Sequence, residues 1–414
     1  MNRYLTEPDE VPHAHAHPFT FLILVLPFGI VSGYVTVAFA YLFSKAGISV
    51  EAVAALVGAG LLPQVFKFIW APLIDTTLTL KKWYVLSAIV TAASILATGL
   101  LPIKESSLPV MTLLVITANV AVSFIGMASN GLAALDTPHA LKGRVGGFLQ
   151  AGNLGGAGLG GGAGLWLAQN LSDAWMPAAI LAAACLLCCI GLFFVGEPAS
   201  TVHAEKVTDT LGNLFKDLWN TLKTRMGVLA MVLCFLPLGT GAASNLWSAV
   251  AGDWHASANT VAFATGIASG FITAAGCLLG GWICDRMDRK IAYIIFGLLQ
   301  AICAVGMAYS PHTELMYITW TSLYAATLGL SYAGFTAFVF EAIGKGAAAT
   351  KFTVYASLSN APIYYMTIIN GWAYTNYGPK GMLNMEATFG VLGIVIFMVL
   401  LRYANRRPVE VEMV

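Results

Sequence analysis

The stretch GGWICDRMDRK, residues 280–290, joins two long apolar segments of the chain. Two adjacent glycines stand near the end of the first segment, and small residues of this kind let a neighbouring helix approach closely. An aspartate and then arginines and a lysine follow where the apolar residues end. Basic residues collected at the end of an apolar helix are typical of a short loop at a membrane surface. The stretch therefore indicates a turn between two membrane-spanning helices.

Apolar segments of the same kind fill the rest of the chain. Hydrophobic residues make up 58% of the 414 and charged residues only 10%, whereas roughly 25% are charged in a typical soluble domain. A helix crosses a bilayer with about 20 apolar residues, so nearly the whole chain is used and no separate catalytic domain is expected. The twelve predicted spans are 19–43, 52–75, 84–102, 110–135, 146–169, 176–195, 227–250, 258–283, 291–309, 314–340, 352–374 and 384–402.

Lysine and arginine divide unequally between the two sides of these spans. If both termini lie on one side, 17 of the 21 basic residues lie there too. Only Lys45, Lys104 and Lys380 fall on the other side, and Lys67 lies within a span. The positive-inside rule then places both termini in the cytoplasm. The first apolar segment has no recognisable cleavage site, so we expect a multi-pass protein of the bacterial inner membrane.

The longest polar interval divides the chain into two similar halves. LPFG at residues 26–29 recurs as LPLG at residues 236–239. Two six-helix halves are typical of transporters built from parallel repeats, which work by rocking one half against the other. The predicted parts are an N-terminal tail (1–18), a first bundle (19–195), a central loop (196–226), a second bundle (227–402) and a C-terminal tail (403–414), with the tails and the loop in the cytoplasm.

Residues 280–290 resemble the G-x-x-x-D-R-x-x-R-R/K signature of the major facilitator superfamily. In that family the signature lies between the second and third helices of a half, as it does here. The resemblance implies a charge network that closes the cytoplasmic gate, and an ordinary positively charged loop is the alternative. The predicted gate residues are Asp285, Arg286, Arg289 and Lys290, with Asp75, Lys81 and Lys82 at the corresponding place in the first half.

Two further stretches resemble the AmpG-like branch of this superfamily, the peptide and acetyl-CoA transporter group. They are FKFIWAPLID at residues 66–75 and TVYASLSNAP at residues 353–362. The fourth helix of that family usually carries paired acids, and SNGLAALD at residues 129–136 keeps the second, Asp136. The resemblance implies proton-driven import of bulky polar solutes. At 414 residues the chain is similar to the shorter members, which import ferric siderophores of the pyochelin and rhizobactin type.

Three ionisable residues are candidates for proton coupling. Lys67 shares one helix face with Gly60 and Gln64, and an ionisable residue inside a membrane is costly and usually functional. Lys67 is therefore predicted to bind an anionic group or to take part in proton coupling, with snorkelling to the membrane edge as the alternative. Asp136 and Glu341 end the fourth and tenth spans. For these two the alternative is pairing with nearby basic residues.

Polar side chains recur at helical spacing on several spans and predict a central cavity. The resemblance implies that the first, fourth, seventh and tenth helices line it, and hydrogen bonding between helices is the alternative reading. The glycine-rich fifth span lacks the residues of a phosphate loop, so we expect it to pack against the eighth span. The predicted cavity residues are Tyr34, Tyr41, Gln64, Lys67, Trp70, Asn119, Ser123, Asn130, Asn153, Ser244, Asn245, Tyr324, Tyr355, Asn360 and Tyr364.

These observations predict an all-α membrane protein with the major facilitator fold, twelve helices in two six-helix bundles. The predicted function is secondary active, proton-coupled import of a siderophore or ferric siderophore by alternating access. A permease for muropeptides or acyl-CoA-type solutes is one alternative, and a proton-antiport exporter is another. We expect a monomer in the bilayer, with a small-molecule substrate and a co-transported proton. No enzymatic activity, cofactor, metal or nucleic-acid partner is expected, and the seven cysteines are read as buried apolar residues.

Overall fold

The structure is a computed structural model that describes residues 16–137, 142–197, 224–343 and 354–406, together with residues 212 and 216. Every regular element in these residues is helical. Most of the predicted N-terminal tail, most of the central loop and the end of the C-terminal tail lie outside the described residues. So do the side chains of Asp75 and Glu341, although the backbone of both is helical.

The first six helices follow one another with short connections. Serine and threonine side chains begin two of them, since Ser49 and Thr79 accept hydrogen bonds from backbone N–H groups of the first turn. The bounds are α1 (Pro18–Lys45), α2 (Val50–Thr76), α3 (Leu80–Leu100), α4 (Leu108–Asp136), α5 (Lys142–Ala157, continued by Gly158–Ala163 and Gly164–Asn170) and α6 (Met176–Phe194).

The last six helices are less regular. Gly378, with φ 68°, separates α11 from α12 within one long helical segment. The bounds are α7 in pieces (Arg225–Leu233, Ala242–Leu246, Trp247–Val250 and Ala251–Trp254), α8 (Ala258–Cys284), α9 (Arg289–Tyr309), α10 (Glu314–Ile343), and α11 and α12 on either side of Gly378 in Asn360–Arg406. Nine segments of the described chain are long and apolar enough to cross a membrane, and the last of them holds both α11 and α12.

Hydrogen bonds tie several helix ends together on one side of the protein. The backbone N–H of Ala16, just before α1, donates to Oδ2 of Asp136 at the end of α4 (2.8 Å). The carboxylate of Glu197, just after α6, accepts from the N–H groups of Leu80 and Lys81 at the start of α3 (2.6 and 3.3 Å). We call this the terminal side and the opposite one the far side.

Glycines let α1 and α5 pack with their backbones in contact. A Cβ added to Gly160 of α5 would lie 1.9 Å from the carbonyl oxygen of Ile30, and one added to Gly33 of α1 would lie 2.0 Å from that of Ala157. No side chain fits at either position. The predicted packing of the fifth helix against α8 is present, for example at Gly158 and Gly162. In addition, much of the glycine face of α5 packs against α1, which the sequence did not predict.

The seventh span is broken near its middle. The sequence predicts one helix over 227–250, but the first helical piece ends at Leu233 and the next begins at Ala242. Gly239 and Gly241 have φ values of 65° and 68°, which residues with a side chain adopt only with strain. The prediction of a continuous helix was wrong here because hydropathy records apolar residues and not the backbone path between them.

Side chains from neighbouring helices satisfy carbonyl groups that the break releases. The hydroxyl of Tyr293 on α9 donates to the carbonyl oxygen of Leu238 (2.7 Å), and that of Tyr365 on α11 donates to the carbonyl oxygen of Phe235 (2.8 Å). A bilayer offers no water to do this, so irregular backbone at this depth is held by protein.

Candidate solute-binding site

The first six and the last six helices are in contact on the far side. The hydroxyl of Ser44, near the end of α1, donates to the carbonyl oxygen of Ala249 on α7 (2.5 Å). Gly162 of α5 and Gly266 of α8 face each other so closely that a Cβ on Gly266 would lie 2.7 Å from backbone atoms of Gly162. These contacts close the far side between the two groups of helices.

Helix α2 belongs to the first group and packs against the second, and its contacts show where Lys67 lies. Phe68 packs against Val354, in the helical turn that precedes α11. Trp70 donates from Nε1 to the hydroxyl oxygen of Ser123 on α4 (3.0 Å). Successive helical residues are about 100° apart, so Lys67 occupies the strip of α2 between these two contacts. Its side chain is partly buried, and it forms no ion pair among the described residues.

Gln64 lies one turn from Lys67 and is an unusual buried residue. Its side chain is 7% exposed, and neither the amide nitrogen nor the amide oxygen has a hydrogen-bond partner among the described residues. Leaving such a group without a partner costs roughly 1–3 kcal/mol. Gly60 lies one further turn away, and its lack of a side chain leaves room for Asn119 of α4. A Cβ added to Gly60 would lie 3.1 Å from Nδ2 of Asn119. The structure thus gathers polar side chains of α2 and α4 in one place.

The candidates on α7 and α11 are mostly engaged in bonds within the protein. Asn245 donates from Nδ2 to the hydroxyl oxygen of Thr367 on α11 (2.9 Å). Ser244 donates to the carbonyl oxygen of Gly241 (2.6 Å), and Asn360 donates to its own helix. These contacts match the alternative reading, hydrogen bonding within and between helices. Tyr364 differs, because its ring lies against α2 near Gly58.

Two of the predicted cavity tyrosines lie inside one group of helices. Tyr34 is 6% exposed, and its ring centroid lies 4.4 Å from that of Phe39 on the same helix. Tyr355 is fully buried, and its hydroxyl donates to the carbonyl oxygen of Gly227 on α7 (3.1 Å). The structure does not bring these two side chains to the polar set on α2 and α4.

The remaining cavity candidates are also apart from that set. Tyr41 is buried near the far-side end of α1, with the Lys45 ammonium 5.6 Å from its ring centroid. Asn130 is exposed near the terminal end of α4, and Asn153 is partly buried on α5. The backbone carbonyl of Asn153, and not its amide, lies against Gly29 of α1.

The predicted gate residues occupy helix ends on the terminal side. Asp285 is exposed just after α8. The guanidinium of Arg286 lies 4.0 Å from the Trp282 ring centroid and donates to the carbonyl oxygen of the same residue (3.1 Å). Asp288, which was not predicted as a gate residue, accepts from the backbone N–H of Lys290 (2.9 Å) and so caps α9.

A buried acid that the sequence analysis did not select lies in α12. Glu386 is 6% exposed, and its two carboxylate oxygens accept hydrogen bonds from Tyr324 and Asn370. Tyr324 was predicted to face the cavity, and the structure places it 1% exposed against this acid. The sequence feature that could have identified Glu386 is an acid inside an apolar span. The predicted span begins at residue 384, which places Glu386 close to its end, whereas α12 begins after Gly378 and buries this residue well inside the helix.

The chain belongs to the Major Facilitator Superfamily, whose family model matches residues 21–365. Solved structures with the same fold include the nucleoside transporter NupG, 14% identical, with a TM-score of 0.71 over 93% of this chain and 98% of that one. The partially occluded inward-open structure of the xylose transporter XylE from E. coli is 14% identical, with a TM-score of 0.70 over 96% and 99%. This membership makes the chain a multi-pass membrane transporter and not an enzyme.

Among proteins of established function, the chain is similar to the anhydromuropeptide permease of Escherichia coli strain K12. The two are 23% identical over 351 residues, which cover 81% of this chain and 70% of the permease. The permease of Escherichia coli O157:H7 matches equally well. This similarity supports the resemblance to the AmpG-like branch that residues 66–75 and 353–362 suggest.

Proposed function

We propose that the protein imports a bulky, anionic polar solute of the muropeptide class together with protons. The observation that carries this proposal is Lys67, a cation on the strip of α2 between α4 and α11 with no carboxylate partner among the described side chains. A basic group held inside a membrane is costly. An anionic group of the solute would neutralise it at the moment of binding.

The neighbouring residues suit the same class of solute. Muropeptides combine sugar hydroxyls with peptide carboxylates. The unpartnered amide of Gln64 offers a donor and an acceptor, and the Trp70 indole offers a flat apolar surface beside Ser123. Polar groups of this kind fix orientation in a site that is otherwise apolar.

Two observations point to different solutes. The length of the chain favours a siderophore, as in the shorter members of the branch. Nothing in the described residues favours a siderophore, and the 23% identity to an anhydromuropeptide permease favours the muropeptide alternative. We therefore place muropeptides first and make siderophore uptake an outcome of the test.

We further propose that the protein works in the inner membrane as a monomer with both termini in the cytoplasm. In this orientation the terminal side is cytoplasmic, and the far-side contacts of Ser44 with Ala249 would close the periplasmic side. Alternating access would consist of rocking the 19–195 bundle against the 227–402 bundle. A solute released to the cytoplasm would leave past α2 and α4.

Uptake of a radiolabelled anhydromuropeptide tests the proposal directly. Cells with and without the protein are compared in the presence and absence of an uncoupler. We expect uptake that requires both the protein and the proton gradient. Lys67→Ala should abolish it at normal protein abundance, and Lys67→Arg should retain part of it because the charge is kept but the geometry differs.

Lys104→Ala provides the matched control, since Lys104 is an exposed lysine in the connection between α3 and α4. Uptake should be unchanged in this variant. Protein-dependent uptake of iron from a siderophore panel, without muropeptide uptake, would return siderophores to first place. Muropeptide uptake that is unaffected by Lys67→Ala would refute the role given to the lysine.

A further inference from the structure

Four helices of the second half converge on one buried acid. Oε1 of Glu386 on α12 accepts from the hydroxyl of Tyr324 on α10 (2.6 Å), and Oε2 accepts from Nδ2 of Asn370 on α11 (2.6 Å). Thr240, in the break of α7, and the backbone of Ala243, in the piece that follows it, lie near this carboxylate. The cluster therefore joins α7, α10, α11 and α12.

The cluster lies deep in the membrane. Asn370 and Glu386 stand at equal separations on either side of the turn at Gly378. At 1.5 Å per residue, each is about 12 Å along its helix from that turn. The apolar core of a bilayer is about 30 Å thick. Glu386 is thus near the middle of the membrane and not at its surface.

Within the described part of the chain, no basic group balances this acid. The titratable groups near it on the neighbouring helices, within the described residues, are Tyr324 on α10, Tyr365 on α11 and, further off, Cys303 on α9. Among the described residues, no lysine, arginine or histidine pairs with Glu386. An isolated carboxylate in an apolar interior is very unfavourable. A proton is the simplest species that can remove the charge.

The neighbouring groups can accommodate the acid with and without a proton. In the ionised form, Tyr324 and Asn370 both donate to it. In the protonated form, the carboxyl group can donate to the Tyr324 oxygen, because a hydroxyl both donates and accepts. The Tyr324 hydroxyl can then turn toward Gln300 of α9, which lies beside it. Oδ1 of Asn370, which has no partner in the described part of the chain, is a second possible acceptor.

The broken helix α7 links this acid to the far-side closure. Ala243 belongs to the piece that follows the break, and Ala249, further along the same half of α7, accepts the hydrogen bond from Ser44 of α1. The glycines at the break, Gly239 and Gly241, leave that half of α7 joined to the first half by irregular backbone. The same half of α7 therefore lies near Glu386 at one end and contacts the other group of helices further along.

We propose that Glu386 is the proton-binding site of this transporter, and that binding and release of its proton move the second half of α7. One proton from water on one side joins a carboxylate oxygen, and the same O–H bond breaks when the proton leaves to water on the other side. The coupling of this step to solute movement rests on the transport function proposed above. This assignment places Glu386 ahead of the three candidates that the sequence suggests, Lys67, Asp136 and Glu341. Of these, Asp136 accepts a hydrogen bond from the backbone just before α1.

The first test does not depend on the solute. Infrared difference spectra of the purified protein in lipid vesicles, recorded through a pH titration, report the C=O stretch of a protonated carboxyl group. We expect a band from a buried acid that is lost in Glu386→Gln and kept in Glu314→Gln. Glu314 is a surface acid at the start of α10, bonded to Ser257 and Thr260. Identical titrations of the parent and of Glu386→Gln would overturn the proposal.

The second test separates proton coupling from solute binding. In one assay, a proton gradient drives the accumulation of labelled anhydromuropeptide in proteoliposomes. In the other, labelled and unlabelled anhydromuropeptide exchange across the membrane with equal pH on both sides. Glu386→Gln should lose accumulation and keep exchange, and Glu386→Asp should recover part of the accumulation. Equal accumulation in the parent and in Glu386→Gln would refute the proposal.

A parent protein that moves no anhydromuropeptide in either assay would refute the proposed solute. The infrared titration would still decide the proton site. Tyr324→Phe is a second variant in case Glu386→Gln folds poorly. It keeps the ring and removes the hydroxyl that binds Oε1, so the carboxyl band should shift and not vanish.

Discussion

A methyl group placed between α5 and α8 should open the far side of the transporter. In Gly266→Ala the new Cβ would lie 2.7 Å from the nitrogen and Cα of Gly162, whereas ordinary contacts begin at 3.4 Å. The clashing atoms are backbone, so they cannot swing aside and the two helices must separate by several tenths of an ångström. Overpacking of this kind costs roughly 1–3 kcal/mol.

That energy acts on one conformation only, because the contact joins the two groups of helices. A difference of about 1–3 kcal/mol corresponds to a change of roughly 5- to 150-fold in an equilibrium constant. The far-side-closed form should lose population by this factor relative to a far-side-open form. Transport should slow because one step of the cycle becomes unfavourable, while the protein stays folded.

Thiol labelling at Ala249→Cys measures this opening. Ala249 is 3% exposed, and its bond to Ser44 uses the backbone carbonyl, so the substitution leaves that bond in place. A membrane-impermeant reagent added from the far side should react faster with the cysteine in the Gly266→Ala background, by a factor of roughly 5 to 150. Protein without Ala249→Cys gives the background from the native thiols.

Gly281→Ala provides the control, since it lies on the same helix and an added Cβ there meets nothing within 4 Å. Its labelling rate should equal that of the parent. If Gly266→Ala is well folded and labels no faster than Gly281→Ala, the glycine contact does not stabilise the closed far side, and the reasoning is wrong.

Three further changes have definite expected results. Trp70→Phe removes the indole donor to Ser123, so we expect a rise in KM for the anhydromuropeptide worth about 0.5–1.5 kcal/mol. An equal rise when Trp70→Phe is made in the Ser123→Ala background would show that the hydrogen bond between the two side chains is not the cause. Asp253 lies in the last piece of α7, beyond the predicted end of the membrane span at residue 250. Burial raises the pKa of its carboxyl group, and the Tyr374 hydroxyl opposes this shift by donating to the carboxylate (2.7 Å). Tyr374→Phe should therefore destabilise the protein little in acid, where Asp253 is protonated, and increasingly as the pH rises. Thermal unfolding measured across pH would detect this, and a loss of stability that does not depend on pH would contradict it. Glu197→Ala removes the carboxylate that caps α3 and should lower the free energy of unfolding by about 0.5–2 kcal/mol. The expected result is a lower Tm, and an unchanged Tm would show that the cap contributes nothing.

Several features of the binding region followed from local sequence signals. The face shared by Gly60, Gln64 and Lys67 depends only on helical spacing, and the structure places this face beside α4. The resemblance at residues 66–75 agrees with family membership. The roles of these residues stay predictions, because hydrogen bonds and burial describe a site without showing what binds to it.

Other features depended on partners far away in the chain. Asn245 and Asn360 are polar residues in apolar helices, and spacing cannot distinguish a solute contact from the bonds they make to Thr367 and to the preceding turn. Tyr355 was predicted at the cavity, yet its hydroxyl reaches Gly227 within one group of helices. A helix rotated by a few tens of degrees would reverse either outcome, and packing sets that rotation.

The sequence by itself determined the membrane class and the rough bounds of most spans, because burial in lipid requires long apolar helices whatever their arrangement. The superfamily followed from the resemblance of short motifs such as residues 280–290. Only the tertiary structure decided where α7 breaks and what Glu386 contacts. The break is stable because Tyr293 and Tyr365 satisfy the carbonyl oxygens that the helix releases. Glu386 is buried because Tyr324 and Asn370 meet it from two other helices. A hydrogen bond between residues distant in sequence forms only when packing brings its donor and acceptor within about 3 Å, and no local pattern of residues specifies that distance.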